Sequence, residues 1–546
     1  MLPDIGLVKP ARLASCRGGT FYIPETLFLH IDSASPINRT DDALITLIHE
    51  GVHWRQFQAT TFGAFFNWIL LSRELNTFDH FKSAPQAEML EAFERRRDGV
   101  PILQLSRTTS LPKPALVLGN SRDRIALARM IWYDHTFTYR FFLNSGEISQ
   151  NPDSAQQIFA AAIADAASTL TKVHPAWKDY GYEDVQRYYS LERVGRVAGR
   201  NGIDLTTRDL LEAAALANEV LLKSWTEEIR FHLTDEAAAK LSFGKDPGTV
   251  PGIHATSVWK PRDGLDRYIF LEESNRGLAS SYGHALQVLF SLAGLQATRH
   301  ESWLTALAVI DFALNGPLPP AVLPNRRQPD WWELYPPARF LKASSAVRKC
   351  GDVRPPYGNK EIAEFQTRVA DASSLSNPGE LKTSGVFDLI VPDFREISRG
   401  DVWDSVLGKP IAYYHFLRWC QQRLWGMRSD NLGLLVEPAL WIWKAMWSNM
   451  PVAATYFAGN LGFTSPVQMG PDGEIEHVRG STPAFGTWLA ASRAIHYATS
   501  DLMVGTGEPD FRAFPRSLME NETVARLVLT AVRDALGISY DPWTCE

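Results

Sequence analysis

The 546 residues carry 55 Lys+Arg against 61 Asp+Glu, a formal net charge of −6, with 45% hydrophobic and 21% charged residues. This composition excludes a disordered, collagen-like or disulfide-scaffold chain, and its slight acidity argues against an electrostatic nucleic-acid binder. Length alone sets a soft prior of about three to four domains. Cys16, Cys350, Cys420 and Cys545 form no CxxC pair and fit free thiols in a reducing compartment. The start of the chain lacks the basic and apolar pattern of a leader peptide. The longest apolar stretches run about ten residues, half of what a membrane helix needs. A cytoplasmic protein without a membrane span is expected.

Taken in chain order, Thr20–Pro24 and Leu27–Ile31 read as two short strands. From Thr40 onward, apolar spacing of three and four predicts helices over 41–58, 62–75, 86–97, 153–172, 206–230, 276–297 and 300–314. The stretch 316–358 holds nine prolines and reads as an extended connector. Further helices are predicted over 359–373, 409–427, 434–448, 484–500 and 521–536. The expected fold is mainly α with a small N-terminal β component (α+β). Its expected division is an N-terminal domain over 1–315, the Pro-rich connector 316–358, and a helical C-terminal domain over 359–546 to which no function is assigned.

The segment Asp41 to Gln58 contains His49-Glu50-Gly51-Val52-His53, a match to H-E-x-x-H. Residues four apart lie one turn apart on one helix face, so both imidazoles can bind one metal ion. Glu50, beside that face, can serve as general base toward a water polarised by the metal. Thr40, Asp41 or Asp42 can cap this helix, and Leu44, Ile45, Leu47, Ile48 and Val52 can anchor it.

Through this motif helix the chain resembles the zincins, the H-E-x-x-H metallopeptidases. The resemblance implies that His49 and His53 ligate zinc and that Glu50 is the catalytic base. The metzincin extension fails, because position 56 is Gln and position 59 is Ala. A gluzincin-like site is therefore expected, with a glutamate from a later helix as third ligand and an open fourth position. Glu74 stands near the spacing of thermolysin-like enzymes, but their N-E-x-x-x-D pattern is absent. Glu88 and Glu91 lie on a highly charged helix that reads as a solvated face. Glu212 is favoured. It sits in an Ala-rich helix capped at Thr206 or Thr207, where small side chains allow close helix approach, and a carboxylate among apolar neighbours needs a partner. Glu219, two turns on, could support a ligand histidine. His₂Glu sets also accept manganese, iron or cobalt.

His232, His284, Tyr133 and His135 are candidates for polarising a carbonyl. Ser280-Ser281-Tyr282-Gly283-His284 is not a nucleophile elbow, and the chain lacks Gly-rich phosphate loops. The Trp441, Trp443, Trp447 stripe reads as core packing. The motif and the resemblance together lead to the expectation of a zinc-dependent hydrolase, a metallopeptidase acting on a peptide or protein; the resemblance implies that a substrate peptide can add to an N-terminal strand. A metal-dependent hydrolase acting on something other than a peptide stays open. The competing expectation is a non-catalytic helical scaffold or partner-binding protein with a structural or degenerate metal site.

Overall fold

The computed structural model describes residues 20–23, 28–32, 205–223, 265–317, 335–354, 359–379, 452–458, 461–469 and 475–477, with single positions between 49 and 76 and at 131, 135, 138 and 333. These residues are mainly α-helical. The helices are α1 (Thr207–Lys223), α2 (Leu265–Ala279), α3 (His284–Ala293), α4 (His300–Leu314), α5 (Pro336–Cys350) and α6 (Asn359–Ser373). The described residues from 49 to 57 are also helical, as are those from 61 to 76, with a bend at Thr60. The predicted helices at 86–97, 153–172 and beyond 400 lie outside the described residues.

The centre of the helical body is α4. Nearly every residue from Ser302 to Leu314 is buried, as expected for a helix that is apolar around most of its circumference. It packs against α1, α3, α5 and α6. Its last carbonyls would be left without partners at a buried helix end. Side chains from elsewhere supply donors: Thr61 Oγ1 donates to Leu314 O at 3.2 Å and to Gly316 O at 2.7 Å, and Arg339 Nε donates to Phe312 O at 2.9 Å. Asn315 Oδ1 accepts from Thr61 N at 3.1 Å. These bonds fix the segment that follows the two histidines against the end of α4.

Two expectations about elements are corrected. The helix predicted over 276–297 is broken: α2 ends at Ala279, a turn follows, and α3 starts at His284. The connector expected to be extended over 316–358 contains α5, which packs on α3, α4 and α6. Pro336 and Pro337 occupy its first turn, where the missing N–H costs nothing and the fixed φ suits a helix. Because α6 packs on α4 and α5, the helix at 359–373 joins the same body as 300–314.

The backbone also traces a five-stranded sheet in the order β1 (Thr20–Ile23), β2 (Phe28–Asp32), β3 (Val452–Ala458), β4 (Leu461–Met469), β5 (Ile475–His477). Only the β2–β3 pair is parallel, with Leu29 opposite Ala454. Pro466 pairs toward β3 but lies just outside the stretch of β4 that pairs with β5, so its missing N–H removes no bond on that side.

Candidate metal centre

The helix α1 begins with a reciprocal cap. Thr206 Oγ1 accepts from Asp209 N at 3.2 Å, while Asp209 Oδ2 accepts from Thr206 N at 2.7 Å. The Ala-rich stretch that follows is packed tightly: Ala213, Ala215 and Ala217 are fully buried, and Ala214 nearly so. Small side chains let neighbouring helices approach the backbone of α1. Glu212 and Glu219 are seven residues apart, which is about 20° in azimuth and about 10 Å along the axis, so they share one face.

Across from that face stand His49 and His53, one turn apart on the histidine segment. His49 Nδ1 lies 2.5 Å from Glu219 Oε1, and His53 Nδ1 lies 3.1 Å from Gln56 Oε1. Gln56 Nε2 donates to Leu211 O at 3.2 Å, which leaves its amide oxygen to accept from His53. Both imidazoles therefore carry a proton on Nδ1 and, in the neutral form, present bare Nε2 lone pairs. The two Nε2 atoms are 3.1 Å apart, and Glu212 Oε2 lies 3.3 Å from His49 Nε2 and 3.4 Å from His53 Nε2.

Three lone-pair atoms facing one point repel one another unless a cation or protons sit between them. With bonds of about 2.05 Å at tetrahedral angles, zinc ligand atoms stand about 3.3 Å apart. The observed triangle of 3.1, 3.3 and 3.4 Å has that edge length. His49, His53 and Glu212 can hold a metal ion, and theirs is the one such group among the described residues. Burial alone raises the Glu212 carboxyl. Without an ion, protons on the Nε2 atoms take its place, and the hydrogen bonds and positive charge of the protonated histidines outweigh burial and hold the group well below the usual carboxylate range. Glu212 is thus ionised, as a ligand must be. A divalent ion with Glu212 and Glu219 makes a neutral set.

The centre is neither sealed nor open. His49, His53, Glu212 and Glu219 keep 15%, 13%, 17% and 20% of their side-chain surface. Arg208 Nε stands 3.7 Å from Glu212 Oε1, the oxygen turned away from the histidines. Tyr282, in the turn between α2 and α3, places its ring centroid 6.0 Å from that of His49.

Of the residues singled out in the sequence, the structure brings together His49, His53, Glu212 and Glu219. Glu50, Glu74, Glu88, Glu91, His232 and Tyr133 lie outside the described residues. His284 opens α3 and is exposed. His135 is fully buried, with Nδ1 donating to Ile131 O at 2.8 Å, and burial pulls its pKa down to about 4. It is a neutral core histidine rather than a group poised toward a carbonyl. Sequence reasoning missed Gln56 and Tyr282. An amide three residues after a ligand histidine is a readable signal for Gln56. Tyr282 had no signal, because its turn was read as helix.

No protein-family model matches the chain, and no curated protein or solved structure matches it. Among the described residues, no helix is long and apolar enough to cross a membrane.

Proposed function

We propose that this chain is a zinc-dependent hydrolase, a metallopeptidase of the zincin kind, with His49, His53 and Glu212 as ligands and Glu50 as general base. The observation that carries this reading is the convergence of His49 Nε2, His53 Nε2 and Glu212 Oε2 at tetrahedral edge distances. It occurs on the helix that holds the H-E-x-x-H spacing. Zinc held there would supply a water with a pKa near about 7 and a Lewis acid for a scissile carbonyl. Glu50 would take the proton of the attacking water and return it to the leaving amine. Glu219 and Gln56 hold the two imidazoles in the ligating tautomer. Arg208 draws the second oxygen of Glu212 aside, which favours one-oxygen ligation and an open position. The partial exposure of the ligand side chains supports access from outside. In this reading the N-terminal strands edge the cleft and β1, the outer strand of the sheet, receives an extended peptide, around a zincin-like helical core in a cytoplasmic protein.

The test is metal content and proteolysis on wild type, His53→Ala and Glu50→Gln, side by side. About one zinc per chain is expected in wild type and in Glu50→Gln, and none in His53→Ala. A mixed peptide library should be cut by wild type alone. Absence of stoichiometric zinc from wild type, even after incubation with zinc, overturns the reading.

A further inference from the structure

We infer that Tyr282 determines substrate preference at this centre: its ring is a platform for a large apolar or aromatic side chain on the residue whose carbonyl lies at the three ligand atoms. The inference rests on the metallopeptidase reading and names the substrate class for it.

The mount of this ring is rigid. Between α2 and α3, Ser280 N and Ser280 Oγ both donate to Gly277 O, at 3.1 and 2.6 Å, and Gly283 N donates to Ser280 O at 3.1 Å. Gln287 N then donates to Gly283 O at 2.9 Å and starts α3. Gly283 is buried, and a Cβ there would stand 2.5 Å from both Gly277 O and Leu278 O, so no larger residue fits this turn.

The turn is also delivered to the right place. A Cβ on Gly277 would lie 3.3 Å from Val220 Cγ2 and 3.4 Å from Leu216 Cδ1. The end of α2 therefore lies directly on the stretch of α1 that carries Glu219, the partner of His49. One turn later in the chain, Tyr282 reaches the imidazole itself, with ring planes inclined at 53°. The 6.0 Å separation is inside the range of about 4.5–7 Å over which aromatic rings pack.

Among the residues whose side chains are described, Tyr282 is the one large hydrophobic that is exposed, at 46% of its surface. A lone exposed aromatic is ordinary on a protein surface. This one is set apart by its contact with a ligand imidazole and by a turn that fixes its backbone. An aromatic ring held by two χ angles loses little freedom when it covers a substrate side chain.

The experiment uses the zinc-loaded full chain and two hydroxamate probes, which share a metal-binding head. They are N-acetylglycine hydroxamate and N-acetylphenylalanine hydroxamate, with affinities read by calorimetry. Wild type should bind the phenylalanine probe on the order of tenfold more tightly. Tyr282→Ala should erase that ratio while keeping one zinc per chain and the affinity for the glycine probe. Tyr282→Phe should retain the ratio, because the ring face carries it. Equal binding of the two probes by wild type, or an undiminished ratio in Tyr282→Ala, overturns the role of Tyr282 and leaves the metal centre standing. Failure of both probes to bind zinc-loaded wild type overturns the metallopeptidase reading, and this inference with it.

Discussion

Glu219→Gln isolates the charge that stands behind His49, because it keeps the size and an acceptor oxygen but removes the carboxylate. The bond from His49 Nδ1 to Glu219 Oε1 is 2.5 Å long, and both side chains are largely buried. A hydrogen bond to a charged group contributes about 1.5–3 kcal/mol. Loss of such a partner behind a metal-ligating histidine typically weakens metal binding by about 10–100-fold, or about 1.4–2.7 kcal/mol. The two ranges agree, so Glu219→Gln should weaken zinc binding by about 10–100-fold at unchanged stoichiometry. Glu219→Ala should cost more, since it also frees the tautomer and orientation of His49. Competition with a chromophoric zinc chelator at neutral pH reads both. Affinities within about twofold of wild type would refute the orienting role. Loss of stoichiometric zinc in Glu219→Gln, with retention in Glu212→Gln, would show that the two carboxylates have exchanged roles.

Gln56→Leu removes the acceptor of His53 Nδ1 and the donor to Leu211 O. Zinc affinity should fall by up to about tenfold, less than for Glu219→Ala because no charge is lost, and urea denaturation should show about 1–3 kcal/mol of destabilisation. His135 titrates near 4 in the folded protein against 6.5 unfolded, because burial disfavours its charged form. The unfolded chain thus takes up a proton that the folded one refuses, and stability should fall as pH drops from 6.5 to 4, by about 3 kcal/mol, and be insensitive to this group above 6.5. Urea midpoints for His135→Gln should lack that part of the slope; an unchanged slope would exclude His135 as its source. Arg339 is fully buried, and although burial pulls its pKa down to about 9 it stays charged at neutral pH. Its guanidinium bonds Phe312 O, Ser376 O and Ser376 Oγ and lies 4.2 Å from the Phe312 ring centroid. Arg339→Met should cost about 3 kcal/mol in denaturant unfolding by stranding buried acceptors.

The sequence was most legible where local physics decides the outcome. Apolar periodicity delimits His300–Leu314 and Asn359–Ser373, and the Thr206 cap marks the start of α1. Legibility failed where a local signal has two physical meanings. Proline at 336 and 337 stops a preceding helix but also suits the first turn of a new one. The apolar spacing of 276–297 continues across Ser280–Gly283, and the break becomes visible only through the backbone crowding around Gly283. In the site, the histidine pair follows from a four-residue spacing, which is local. Gln56 figured in the sequence only as the residue that breaks the metzincin extension. In the fold it holds His53 from one side and the backbone of α1 from the other.

The third ligand of the proposed centre, Glu212, could be argued from composition but not from spacing. Glu212 is 163 positions from His49, and a separation of that size encodes no geometry. What the chain does encode is the means of approach. Alanines at 213, 214, 215 and 217 let α1 be packed closely, and Gly277 lets α2 lie directly on it. Thr61 ties the other end of the histidine segment to the last turn of α4, and α4 in turn packs on α1. The histidines and the two carboxylates are thus held from both sides by contacts that use no ligand atom. In the proposed metal reading, such a scaffold would place His49, His53 and Glu212 near one another before an ion binds. The free energy of ion binding is then available for affinity instead of being consumed in ordering the chain.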